Sequence, residues 1–234
     1  MNLHRPTRAL WRDETGGPAV EFGFIAMFLI FITFAVLEFG FILYQYNSAE
    51  KATQMGARLA ATSWPVAQGL ESVDCRTSNN TIPFGDPCQA SDNFGVVTCN
   101  SGGCSCSGGL CPTEITGTLR PSTDPNCIDA AALGTVSGTE FGCIVQRMRG
   151  VYPFITPANV EIIYRDIPEL RFKGRGYIAA QNPSGGVVPE IEVRVINLGI
   201  NLFIAGPIVG IDTLTMPTIR STLVGEDMNS GGQT

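Results

Sequence analysis

Between Phe22 and Tyr44 the chain is a continuous run of Phe, Ile, Leu, Val, Met, Ala, Gly and Thr, broken by one carboxylate, Glu38. As a helix rising ~1.5 Å per residue this run is about 34 Å long, against a bilayer hydrocarbon core of roughly 30 Å. It lacks the polar stripe of a helix that lies on a soluble core. The run therefore predicts a membrane-spanning helix, and the remaining segments are read as what lies on either side of it.

The sixteen residues before Gly17 are short, basic and polar. Arg5, Arg8 and Arg12 precede the apolar run while Lys51 and Arg58 follow it, a small bias that predicts a single-pass protein with a cytoplasmic N-terminus. A cleaved signal peptide fits poorly, because the run exceeds a usual signal core and no small-residue cleavage site follows it directly. Gly17 and Pro18 read as a helix start, since proline there gives up only an amide that would be unpaired anyway. Beyond the apolar run Ala49, Ala52, Met55, Gly56, Leu59 and Ala60 recur at spacings of three and four, opposite Lys51, Gln54 and Arg58. Pro65 stops the pattern. Residues 17–64 are thus expected to form one helix, half in lipid and half amphipathic, after a cytoplasmic leader at 1–16.

Cys75, Cys88, Cys99, Cys104, Cys106, Cys111, Cys127 and Cys143 all follow this helix. An even count confined to one block predicts disulfides formed in an oxidising compartment, so the C-terminal part is expected to be exported. Residues 65–130 hold seven of the eight, with no lysine and little apolar periodicity, and are expected to be a loop-rich region held by those bridges. Cys143 reads as a buried thiol or as a staple to that region.

Regular patterning returns after residue 130. Ser137 and Glu140 have capping-box spacing, Phe141, Ile144, Val145 and Met148 follow at helical intervals, and Gly150 stands where a helix-ending glycine belongs. Residues 160–164, 177–180, 190–196 and 212–224 read as strands; the third alternates wet and dry, and Pro217 marks an edge or bulge in the last. An unusually apolar connection, 197–210, separates the last two. The expected fold is α+β: a long N-terminal helix, a disulfide-rich loop region, and at 131–225 an antiparallel sheet with one packed helix, before a flexible tail at 226–234.

Several chemistries are disfavoured. A net charge of −6 argues against nucleic-acid binding. The one histidine, His4, lies in the leader, so Ser–His–Asp and Cys–His arrangements have no base in the exported part. Cys99, Cys104, Cys106 and Cys111 are spaced poorly for zinc. Asp166 with Glu169, and Glu190 with Glu192, read as solvated strand ends. No enzyme activity, metal, cofactor or small-molecule substrate is expected.

Specific residues at the junction add to this reading. Gly16-Gly17-Pro18-Ala19-Val20-Glu21-Phe22, the apolar run with Leu37-Glu38-Phe39-Gly40, and Gly56-Ala57-Arg58-Leu59-Ala60-Ala61 together resemble the TadE-like family, minor pseudopilins of the bacterial tight-adherence (Flp) pilus machinery. The resemblance covers about residues 12–61 and returns weakly toward the C-terminus. It implies an inner-membrane protein cut by a prepilin peptidase between Gly16 and Gly17, with the carboxylate of Glu21 pairing a neighbouring subunit's new N-terminal amine. Other pilin or pseudopilin subunits are then the partners. Glu38 reads either as an interfacial carboxylate or as a contact to a partner helix. The competing classes are a membrane-anchored Cys-rich adhesin and an exported redox or metal protein.

Overall fold

The computed structural model describes residues 17–70, 86, 95–108, 111, 115, 117–124, 127, 133–167, 188–204, 206, 210 and 213–225. Gly16, Cys75, Cys88, Glu169, the leader, the strand expected at 177–180 and the tail lie outside them. The elements are α1 (Gly17–Thr62), β1 (Val96–Asn100), β2 (Gly103–Ser107), α2 (Glu140–Val151), β3 (Val160–Asp166), β4 (Pro189–Val195), β5 (Gly199–Asn201), β6 (Thr213–Thr215) and β7 (Ile219–Val224). They divide between two compact units.

One unit holds α1 as far as Tyr44 together with Asn201–Leu214. Here α1 is apolar around its circumference, and only 6% of its apolar stretch is buried. Most of the large apolar side chains from Val20 through Tyr44 therefore stand exposed. A helix of this length that covers almost none of its apolar surface is suited to single-pass membrane anchoring.

The other unit holds the rest of α1, α2 and a five-stranded antiparallel sheet in the order β2-β1-β3-β4-β7. Its core includes Ala49, Ala52, Ala57 and Ala60 of α1, Phe141, Ile144, Val145 and Met148 of α2, and Ile162, Tyr164, Ile191 and Val193 of the sheet. Small residues let α1 approach closely: a Cβ at Gly56 would lie 2.6 Å from the Met148 sulfur. Met55, expected on the same face, stays largely exposed, while Thr53 is buried and returns its hydroxyl to the Ala49 carbonyl at 2.8 Å. Two buried hydrogen bonds join distant segments: Tyr152 Oη donates to Gln45 Oε1 at 2.8 Å, and the Val66 amide donates to Tyr164 Oη at 2.9 Å.

Three local expectations need correcting. The helix α2 is capped by Thr139, whose Oγ1 accepts from the Gly142 amide, and Ser137 instead closes a short 3-10 turn over Gly134–Val136. Gly150 lies inside α2, which ends at Val151. The Cys-rich stretch, expected to be loop, contributes the hairpin β1–β2 to the main sheet. Cys99 and Cys104, paired across that hairpin, form a disulfide, as do Cys106 with Cys111 and Cys127 with Cys143. Cys143 is thus a staple from α2 to the segment before it.

Candidate functional site

The residues singled out at the junction fall at the start of α1. Gly17 is its first residue, Pro18 occupies the first turn, and Glu21 and Phe22 are both exposed, Phe22 at 71%. Proline is tolerated there because first-turn amides have no intrahelical acceptor. Glu21 is one turn further on and is flanked by exposed Val20, Phe24 and Ile25. A carboxylate set in such an apolar surface favours a partner that supplies a positive charge or hydrogen-bond donors. Among the described residues nothing lies within 4 Å of a Cβ built at Gly17 or Gly23.

Residues 16–58 match the TadE-like protein family. Neither curated proteins nor solved structures give a match to the chain. The TadE-like match begins at the residue before α1 and ends within its amphipathic part. It supports a Tad pilus-associated, minor pilin-like role for a chain with a single apolar helix suited to the membrane among the described residues.

Glu38 sits differently from Glu21. It is only 8% exposed, and its Oε1 accepts the backbone N–H of Ile204 at 3.0 Å. Its carboxylate is therefore engaged within its own chain.

The carboxylates considered for chemistry are also rearranged. Glu192 is not a solvated strand end. It lies mid-strand in β4, 2% exposed, held by Arg165 of β3 and by Arg194, whose Nε donates to Oε1 at 2.6 Å. Glu190 is a looser neighbour, 3.9 Å from Arg165. This ion cluster fastens the central strands. Among the described residues, no group of three or more His, Cys, Asp or Glu gathers to hold a metal.

The hydrogen bonds from Arg194, followed by those from Arg165, hold the Glu192 carboxyl below its ordinary value of 4.5 despite burial. A depressed acid contributes stability that is present above 4.5 and is lost as pH falls through the lower folded-state value. Burial pushes Glu140 upward instead, so Glu140 acts with the opposite sign. Comparing Glu192→Gln with the parent chain isolates the cluster. The substitution is expected to cost about 1–2 kcal/mol at pH 7, discounted because both arginines are about a third exposed, with the difference shrinking below pH 4.5. Thermal midpoints across the range from about pH 3 to about pH 7 check this, and a difference that stays constant with pH contradicts it.

Proposed function

We propose that the chain is a minor pilin-like subunit of a tight-adherence pilus machine, assembled through the N-terminal half of α1. A prepilin peptidase cuts between Gly16 and Gly17. The new ammonium of Gly17 on one subunit then pairs with Glu21 on the next. The protein sits in a bacterial inner membrane with its leader in the cytoplasm and the disulfide-bearing unit outside. The observation that carries this reading is the TadE-like match from residue 16, which coincides with a helix that starts at Gly17 and exposes Glu21.

The pairing has a physical reason. A carboxylate entering lipid unpaired is costly, and a neighbouring amine removes that cost while setting the axial register between subunits. Glu21→Ala loses the pair but makes the helix more apolar, so membrane integration is retained. If the pair is worth even about 1.4 kcal/mol, incorporation falls roughly tenfold. Quantifying the protein in sheared pili and in the piliation machinery, against its amount in membranes, tests the assignment. Unchanged incorporation of Glu21→Ala overturns the role of Glu21, whereas a protein that keeps Met1 in the membrane points to an anchored adhesin.

A further inference from the structure

The apolar connection between β5 and β6 is fastened to the anchor helix. Two contacts do this: the Ile204 amide donates to Glu38 at 3.0 Å, and the rings of Phe203 and Phe41 meet with centroids 6.2 Å apart, tilted by 58°. Phe203 is nevertheless 69% exposed and Leu214 44%. From Leu202 to Ile211 the sequence Leu-Phe-Ile-Ala-Gly-Pro-Ile-Val-Gly-Ile has no charge and no polar side chain. Loops in contact with water are rarely so apolar.

The place of attachment tells what covers it. Glu38 is twenty-one residues beyond Gly17, or about 32 Å along a helix, which is where a hydrocarbon core of roughly 30 Å gives way to headgroups. Around it Leu37, Phe39 and Tyr44 of α1 are exposed, so the apolar surface of the anchor runs continuously onto Phe203. The amphipathic ring of a tyrosine such as Tyr44 favours this boundary. A loop backbone can enter it only if its polar groups are satisfied from within the protein. Glu38 Oε1 satisfies the Ile204 amide, which removes that donor from lipid.

We infer that the segment around Phe203 and Ile204 is a second membrane contact, seated in the headgroup–acyl boundary of the leaflet opposite Gly17 and positioned by Glu38. The occupant of this surface is phospholipid. Two membrane contacts, a span and an interfacial loop, fix the rotation of α1 about its own axis relative to the loop. The inference rests on the membrane-spanning reading of α1, but not on pilus assembly.

The test uses the full chain in phospholipid vesicles. Phe203→Trp supplies a reporter, with the parent chain giving the background of Trp11 and Trp64, and Leu214→Trp is a second reporter. The acyl chains carry bromine either near the glycerol or deep in the bilayer. After subtraction of the background, emission of the Phe203→Trp chain is expected to shift to the blue, to lose most of its intensity with shallow bromine and less with deep bromine, and to resist acrylamide. Adding Glu38→Leu removes the acceptor and is expected to release the reporter to acrylamide while the helix stays inserted. Quenching of the introduced indole by acrylamide and not by brominated lipid overturns the inference. So does shielding from both, which indicates a protein contact, and so does an unchanged response in the Glu38→Leu chain. Resistance to alkaline carbonate reads the anchor separately: failure there defeats the span, whereas an integrated chain whose introduced indole is exposed to water defeats the loop alone.

Discussion

Tyr164→Ala is expected to lower the unfolding free energy of the disulfide-bearing unit by about 3–5 kcal/mol, the range for emptying a large buried aromatic site. For roughly 170 residues this corresponds to a drop in Tm on the order of 10 °C. Tyr164 is fully buried at the centre of β3, paired with Val97 of β1 and Ile191 of β4. Its hydroxyl accepts the Val66 amide just past the end of α1. Burial pushes that hydroxyl far up, so it stays neutral across the usable pH range. Tyr164→Phe keeps the ring and removes only the acceptor, which leaves the Val66 amide without this partner at a cost of about 1–3 kcal/mol. Near-UV circular dichroism on heating distinguishes the two variants. Equal midpoints would mean that the hydrogen bond carries everything and the ring nothing, which contradicts the packing described for β3.

Gly142→Ala is expected to destabilise by about 2 kcal/mol, although alanine is usually the better helix residue by roughly 0.5–1 kcal/mol. A Cβ there would lie 2.1 Å from the Val136 carbonyl oxygen. That oxygen belongs to backbone held in turn by Thr139, whose hydroxyl donates to it at 2.7 Å while accepting from the Gly142 amide at 3.0 Å. Relief requires α2 to shift away from its own cap. Overpacking costs about 1–3 kcal/mol and a lost cap about 0.5–2 kcal/mol, together outweighing the propensity gain. Gly150 is the control, in the same helix with nothing within 4 Å of a Cβ. Gly150→Ala is therefore expected to be neutral or to stabilise by up to about 1 kcal/mol. Opposite signs for one substitution at two positions of α2 are the expected result, and the same sign at both contradicts the close approach at Val136.

The features that can be read from the residues are those whose cause is local. A run of apolar side chains long enough for a bilayer needs no knowledge of neighbours, and α1 spans Gly17–Thr62, ending just before Pro65. The four apolar positions of α2 are all buried, and Pro217 does divide its stretch, leaving β6 before it and β7 as an edge strand after it. Spacing alone misplaces the start of α2 because Ser137 and Thr139 are both good caps, and the choice depends on the turn over Gly134–Val136 that precedes them. The hairpin in the Cys-rich stretch is hidden for another reason. Its strands Val-Val-Thr-Cys-Asn and Gly-Cys-Ser-Cys-Ser alternate weakly, and the β1 pairing comes from β3, far along the chain.

The same distinction applies to the site. Gly17, Glu21 and Phe22 lie within the first two turns of one helix, so their joint exposure follows from the helix alone. The partner of Glu38 lies 166 residues away, and no spacing rule points to it. Glu192 belongs to the alternating face that suggests solvent, yet Arg165 and Arg194 close over it, and only the register of β3 against β4 brings Arg165 there.

The mature N-terminus of the protein extracted from piliated membranes is the most direct measurement of the assembly account. N-terminal sequencing or intact-mass analysis is expected to find Gly17 first, with a full-length product accumulating when Gly16 is replaced by a bulky residue. An unprocessed chain beginning at Met1 in piliated cells would contradict it, because Gly17 would then carry no free amine to offer to Glu21 of a neighbouring subunit.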